Sequence, residues 1–387
     1  MKVYKGTFLD PVELEPFEGY LSVEDGHIAG LDRRAPRSAA VTPLPGIVVP
    51  GLIDAHVHLT MSGGLNPVAE LEQMGDALLL GRAAGYLKRY LRAGITAVRD
   101  LGSRAGSVVG LAQAVAAGHL EGPRVIAAGP VITPTGGHGW KFGLEADGPE
   151  GVRRATRAVL KQGSAAVKFM ATGGVMTPGV RAGAEMFDEE EMRAGVREAE
   201  KRGAVSAAHA QGLAGIKNAV RAGVRTIEHG AFDAWDEEVL ELMKHRGTVF
   251  VPTLAAPDGI LRGEGRVPAF MVEKTRPVAE RHRANTLAAY RAGVAVAAGT
   301  DAGTPLNTHP NLARELELLA SLGMEPGDVL RAATTFAARA LGREAELGRI
   351  APGFVADLVA LGGDPLATAA AYARPLATVV RGSIWRG

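Results

Sequence analysis

Short apolar runs alternate with longer segments of helical spacing along most of the chain. The runs are GIVVPGLIDAHVHL (46–59), GITAVRDLGS (94–103), PRVIAAGPVIT (123–133), AAVKFMATGG (165–174), AVSAAHAQG (204–212), RTIEHGAF (225–232), GTVFVPTL (247–254) and GVAVAAGTDAG (293–303). Runs of this length bounded by turn residues read as buried strands. Between or after them lie PEGVRRATRAVLKQG, FDEEEMRAGVREAEKRG, DEEVLELMKHRG and NLARELELLASLG, whose apolar residues return every three or four positions. Several of these segments close on glycine, the residue that accepts left-handed backbone just past a helix end. Eight strand–helix alternations predict an α/β fold, a (β/α)8 TIM barrel over residues 47–345, with a doubly wound open sheet as the structural alternative.

The two ends follow a different rhythm. Residues 1–46 read VYKGTFLD, EGYLSVEDGHIAGL and PRSAAVTPLPG, and residues 346–387 read LGRIAPGFVADLVALGGDPL and ATVVRGSIWRG. Alternation broken by turn residues predicts short strands, so the ends are expected to combine into one small β-sandwich domain flanking the barrel. The longest connection follows the seventh run, from residue 255 to about 292, and is expected to act as a lid or specificity element.

Composition narrows the class. A net charge of +1 gives no general attraction to nucleic acid or to an anionic membrane, and no basic run is interleaved with aromatics. The chain has no cysteine, which excludes disulfides and thiolate metal sites. MKVYKGTFLD lacks an apolar signal region, and no uninterrupted apolar run reaches membrane-spanning length, so a cytoplasmic protein is expected.

In a barrel the chemistry gathers at the C-terminal ends of the strands. His56 and His58 end the first run, Lys168 lies in the fourth, His209 ends the fifth, His229 ends the sixth, and Asp301 stands in GTDAG of the eighth. Taken singly, each has an ordinary structural reading: His209 and His229 as hydrogen-bonded core histidines, Asp301 as a turn or cap residue. Lys168 is harder to explain this way, because lysine is rarely buried inside an apolar strand unless paired or functional. Six such residues converging on one rim point instead to a metal site of imidazole and carboxylate ligands. Zinc suits that set, with manganese, cobalt or nickel as alternatives. A protonated lysine cannot ligate, its ordinary pKa being about 10.4. Carboxylation by CO2 would turn it into an anionic bridge between two metals.

These motifs, DAHVHL (54–59), Lys168, His209, His229 and TDAG (300–303), resemble the amidohydrolase superfamily. TGGHGW (135–140), VKFMATGGVMTP (167–178), AAHAQG (207–212), IEHGAF (227–232) and AGTDAGTPLNTHPN (298–311) are similar to its imidazolonepropionase-like branch, and within it to the binuclear Xaa-Pro dipeptidases and Xaa-amino-acid carboxypeptidases. The resemblance spans nearly the whole chain. It implies that His56, His58 and Asp301 hold one divalent ion, that His209 and His229 hold a second, and that carboxylated Lys168 bridges them. Hydroxide between the metals would be the nucleophile, Asp301 the general base and then acid, and His138 the group that polarises the substrate carbonyl. Arg181 and His309 are candidate substrate contacts. Relatives often carry a tyrosine after the strand-six histidine; here Phe232 supplies no phenol. Gly173 and Gly174 are expected to let the chain turn tightly beside the metals. His27, His119, His245 and His282 are read as structural or exposed.

The function implied is hydrolysis of the amide bond of dipeptides or N-acyl amino acids, with a small-molecule substrate, no nucleic-acid or membrane partner, and a homo-oligomer in keeping with relatives. The competing readings are a cyclic amide hydrolase or deaminase, which would not use a bridging lysine, a lactone or phosphotriester hydrolase, and a non-catalytic scaffold on the same fold.

Overall fold

The computed structural model of the protein describes residues 1–36 and 40–387; three residues of PRSAAVTPLPG, 37–39, lie outside them. Four strands come first: β1 (Lys2–Leu9), β2 (Pro16–Glu24), β3 (His27–Asp32) and β4 (Val41–Pro50). Nine more span the middle: β5 (Leu52–Val57), β6 (Ile95–Asp100), β7 (Arg124–Ala127), β8 (Val131–Thr133), β9 (Gly143–Glu145), β10 (Ala166–Met170), β11 (Val205–Ala210), β12 (Thr226–His229) and β13 (Val249–Val251). The chain ends with β14 (Leu358–Leu361), β15 (Pro375–Val380) and β16 (Ser383–Ile384).

Both termini build one seven-stranded sheet, ordered β16-β15-β14-β4-β1-β2-β3, over a core that includes Tyr4, Phe8, Leu21, Val48 and Leu358. Strand β4 stays in this sheet as far as Pro50 before β5 begins at Leu52. The middle strands are parallel. They form a three-stranded sheet β5-β6-β7 and a six-stranded sheet β13-β12-β11-β10-β8-β9.

Two of the apolar runs depart from simple strands. The run 123–133 is split into β7 and β8, because Gly129 takes a left-handed φ of 70° and Pro130 follows it without an amide proton. The run 293–303 pairs only through isolated bridges, Phe250↔Val296 on one side and Val57↔Ala302 on the other. Its backbone is left-handed at Asp301 (φ 55°) and Gly303 (φ 108°), which breaks the ladder where the carboxylate is delivered.

Helices follow the parallel strands and bury one face. Asp76–Arg92 buries Leu79, Ala83, Leu87, Tyr90 and Leu91, at roughly 1.5–3 kcal/mol for each large side chain withdrawn from water. Glu189–Glu200 starts with a capping box between Asp188 and Glu191. Glu237–Arg246 stops at Gly247 (φ 68°), as the glycine ending of DEEVLELMKHRG predicted, and Leu213–Ala222 stops in the same way at Gly223 (φ 94°). The segment after β13 is no open loop: it folds into helices Ala255–Arg262 and Ala269–Thr275 before the longer helix Ala279–Arg291. Among the described residues no helix is long and apolar enough to cross a membrane.

Strand alternation positions the site. Residues two apart share a face. Ala166 and Ala207 pack in a cluster with Ile53, Val249, Ala297 and Leu341. The next residues on those same faces, Lys168 and His209, line a cavity directly beyond it.

Candidate metal centre

A cavity open to solvent lies at the ends of the parallel strands. His56, His58, His138, Lys168, His209, His229 and Asp301 all line it. Among the described residues His56, His58 and Asp301 form the one cluster whose ligand atoms all lie within 4.8 Å of one another. Asp301 Oδ1 is 3.4 Å from His56 Nε2 and 3.1 Å from His58 Nε2. His56 Nε2 and Asp301 Oδ1 are buried, yet neither has a hydrogen-bond partner among the described residues. Orphaned polar atoms are costly at this depth, and a cation between them would satisfy both.

Each imidazole is fixed by its other nitrogen. His56 Nδ1 donates to Glu228 Oε2 at 2.8 Å, leaving Nε2 for the cavity. His58 Nδ1 donates to the Gly102 carbonyl at 3.1 Å. His229 Nδ1 is 2.7 Å from the Thr253 hydroxyl, which again leaves Nε2. His209 is reversed: its Nε2 lies 3.4 Å from the Gly173 carbonyl, so Nδ1 is the nitrogen left over. The rings of His209 and His229 are 4.6 Å apart and those of His56 and His229 5.1 Å apart, placing the second histidine pair beside the first. Burial holds His56, His209 and His229 well below the ordinary imidazole pKa, so all three are neutral, the form that binds metal.

Lys168 is 1% exposed and sits in the same cavity. Burial brings its pKa down to about 8, although Glu228 and Asp301 pull the other way. Neutral amine is therefore far more abundant at physiological pH than on a surface lysine.

The backbone is strained at and beside the candidate ligands. His229 (φ 75°), Thr253 (φ 57°) and Asp301 (φ 55°) are all left-handed without being glycine, at a cost of order 1–3 kcal/mol each. The polar groups around Asp301 hold it there. Its N–H donates to the His56 carbonyl at 2.7 Å, and its own carbonyl accepts from Asn307 Nδ2 at 2.9 Å and Thr304 Oγ1 at 2.8 Å. Asp54 accepts from both the N–H and the hydroxyl of Thr300, at 3.0 and 2.7 Å. The motifs DAHVHL and GTDAG are thereby tied together.

His138 enters from the loop after β8. Its Nδ1 is 2.8 Å from Thr177 Oγ1, and its ring centroid lies 4.5 Å from that of His209. Gly173 and Gly174 are needed for space rather than for a turn, since neither has a positive φ. A Cβ on Gly174 would lie 2.4 Å from His138 Nε2, and one on Gly173 2.2 Å from the Arg181 carbonyl. The remaining wall is mainly apolar, with Phe142, Met170, Met176, Phe232, Ile260 and Val278. Arg181 is exposed and does not line the cavity. His309 also stands outside it: Nδ1 is 2.6 Å from the Tyr90 hydroxyl, Nε2 is 3.1 Å from the Met61 carbonyl, and the ring stacks on Tyr86. His282, read from the sequence as structural or exposed, is buried, lines the cavity and holds the Pro252 carbonyl at 2.7 Å.

Sequence reasoning passed over the supports of the site. Glu228, Arg99, Asp54 and Thr177 are all buried and hold ligands or site residues. Asp54 in GLIDAHV, Arg99 in ITAVRD and Glu228 in RTIEHG are, like Lys168, charged residues inside apolar strands, which is the signal that could have found them.

The chain is similar to known proteins over most of its length. The chain is 32% identical to ochratoxinase from Aspergillus niger, over 94% of this chain and 79% of that one. A prolidase solved with N-methylphosphonate-L-proline superimposes with a TM-score of 0.91 at 31% identity, covering 100% of this chain and 99% of that one. A Xaa-Pro dipeptidase with bound methionine also gives 0.91, at 27% identity and full coverage of both chains. The sequence model of the amidohydrolase family matches residues 47–384. With that match and the buried histidine–carboxylate cluster at the strand ends, the chain belongs to the amidohydrolase family and is a hydrolase of amide bonds.

Proposed function

We propose that the protein cleaves the amide bond of dipeptides or N-acyl amino acids in a binuclear metal site at the mouth of one (β/α)8 barrel. The barrel reading draws its support from hydrogen bonds between the two parallel sheets. Ala165 N donates to Ala127 O at 3.0 Å on one side. Ala55 N reaches Ala298 O and Ala297 N reaches Phe250 O on the other. The observation that carries the metal reading is the pair of orphaned buried atoms, His56 Nε2 and Asp301 Oδ1, 3.4 Å apart.

His56, His58 and Asp301 would hold one ion, His209 and His229 a second, with Lys168, once carboxylated, between them. Divalent zinc in such a site supplies Lewis acidity and lowers the pKa of a water toward neutrality. Burial keeps Lys168 partly as free amine, the form that reacts with CO2. Asp301 accepts the proton of the attacking water and returns it to the leaving nitrogen. Its left-handed backbone, fixed by Asn307 and Thr304, aims the carboxylate for both transfers. His138 donates a hydrogen bond to the carbonyl oxygen as negative charge gathers there. The apolar walls exclude water and accept the apolar flanks of a substrate. The similarity to a prolidase and to a Xaa-Pro dipeptidase favours a dipeptide substrate.

The test is release of free amino acid from a panel of dipeptides and N-acyl amino acids by zinc-loaded protein, repeated after chelation. Release from a coherent subset that chelation abolishes is the expected result. No release from any member of the panel would refute the reading.

A further inference from the structure

Three loops meet beside the cavity through one threonine. Thr177, from the segment after β10, is buried, and its hydroxyl lies 2.8 Å from His138 Nδ1, on the segment after β8. The same hydroxyl accepts the Gly139 N–H at 3.3 Å. The Thr177 carbonyl accepts from Lys274 Nζ at 3.0 Å, and that ammonium also reaches the Val180 carbonyl at 2.9 Å. Lys274 belongs to helix Ala269–Thr275, part of the excursion after β13.

The protons can be placed by counting. A hydroxyl has one proton to donate and can accept from others. The Thr177 oxygen accepts from Gly139, so it has two ways to meet His138. If Nδ1 carried the imidazole proton, the oxygen would accept twice and its own proton would be buried without a partner. If Nδ1 is bare, the hydroxyl donates to it and the Thr177 proton has its partner. A buried unsatisfied donor is the more costly arrangement. The imidazole proton then sits on Nε2, which has no hydrogen-bond partner among the described residues on a ring that lines the cavity.

We propose that Thr177 is a positioning residue that fixes His138 as its Nε2–H tautomer, and that Lys274 holds Thr177 in place from the helix beyond β13. His138 is thereby a hydrogen-bond donor toward the cavity. Its donation to a substrate carbonyl rests on the amide-hydrolysis reading; the tautomer itself does not.

The decisive measurement is the imidazole 15N–1H correlation spectrum of the zinc-loaded protein labelled at histidine. The His138 signals are identified by their loss in His138→Gln. The expected result is a protonated Nε2 and a bare Nδ1, kept in Thr177→Ser and lost to a tautomer mixture in Thr177→Val. Lys274→Met should weaken the preference without abolishing it. A protonated Nδ1 in the unmodified protein overturns the proposal, and so does an unchanged spectrum in Thr177→Val. If Thr177→Val fails to fold, the spectra of the unmodified protein and of Thr177→Ser still decide. On whichever amide the enzyme cleaves, Thr177→Val should lower kcat by about 10–100-fold, in the range of a weakened carbonyl-oxygen donor, with little change in KM. Thr177→Ser should restore most of that loss, and an equal loss in both variants counts against the proposal. An enzyme inactive on every amide would remove the amide reading, while the spectra would still judge the tautomer.

Discussion

Glu228 Oε2 stands 2.8 Å from His56 Nδ1, and Glu228 Oε1 stands 2.9 Å from the Arg99 guanidinium, with all three side chains buried. Arg99 in turn donates to the Ala55 carbonyl at 2.7 Å, one residue before His56. A carboxylate behind a histidine fixes the tautomer and raises its basicity as a ligand. Glu228→Gln should therefore weaken zinc affinity by about 10–100-fold while the fold persists. Competition titration with a zinc chelator measures it, and unchanged affinity would remove Glu228 from the site. Arg99→Met should do more damage to stability, about 3–5 kcal/mol, because it strands a buried carboxylate. Thermal or urea unfolding reads that loss.

Asp301 and His56 point two buried atoms at one another with no hydrogen bond between them. Zinc binding should relieve this, stabilising the fold by about 2.7 kcal/mol at a hundredfold excess over Kd. Differential scanning calorimetry with and without chelator should show Tm falling on metal removal. In Asp301→Asn the zinc-dependent part of Tm should shrink. A Tm indifferent to zinc would argue against a metal site.

Lys168 separates a binuclear site from a mononuclear one. Lys168→Ala should lower bound zinc from two ions per chain toward one, since His56, His58 and Asp301 remain as a complete set. Elemental analysis after dialysis against zinc gives the ratio. One ion per chain in both the parent and the variant would favour the deaminase-like alternative, which does not use a bridging lysine.

Glu315 gives a pH dependence with a definite sign. Its carboxyl is buried, accepts the Leu254 and Ala255 N–H groups, and is pushed by burial from 4.5 up to about 8. The folded state holds this proton more tightly than the unfolded chain. The stabilisation is complete below about pH 4.5 and is lost progressively as pH rises to about 8, by at most about 1.4 kcal/mol per pH unit. Glu315→Gln lacks this titration, so the stability difference between variant and parent should move in the variant's favour from pH 5 to about 8. Urea unfolding across that range checks it; parallel curves would show that Glu315 is already ionised when folded.

Gly174 is a packing requirement. Gly174→Ala puts a Cβ 2.4 Å from His138 Nε2, so the ring must move. Turnover should fall by about a hundredfold, as for loss of a carbonyl-oxygen donor, while zinc content stays unchanged. Loss of zinc together with activity would instead place Gly174 under the metal ligands.

The apolar pattern of the chain determined its alternation of strands and helices, because strands buried on both faces need short continuous apolar runs and helices buried on one face need a period of three to four. It also singled out the candidate ligands: His56, His58, Lys168, His209, His229 and Asp301 all line the same cavity. Each alone has an ordinary structural reading, and it is their convergence on one rim that points to a metal. What periodicity cannot carry is contact between distant segments. Glu228 finds His56 across 172 residues, and Lys274 finds Thr177 across 97. Only the folded backbone decides those pairings, because hydrogen-bond geometry depends on strand register and loop path. The same limit explains His309, Arg181 and His282. Their place in sequence put the first two near the catalytic side and the third away from it. Packing reversed this: Tyr90, Tyr86 and Met61 enclose His309, Arg181 stays in solvent, and helix Ala279–Arg291 turns His282 into the cavity wall.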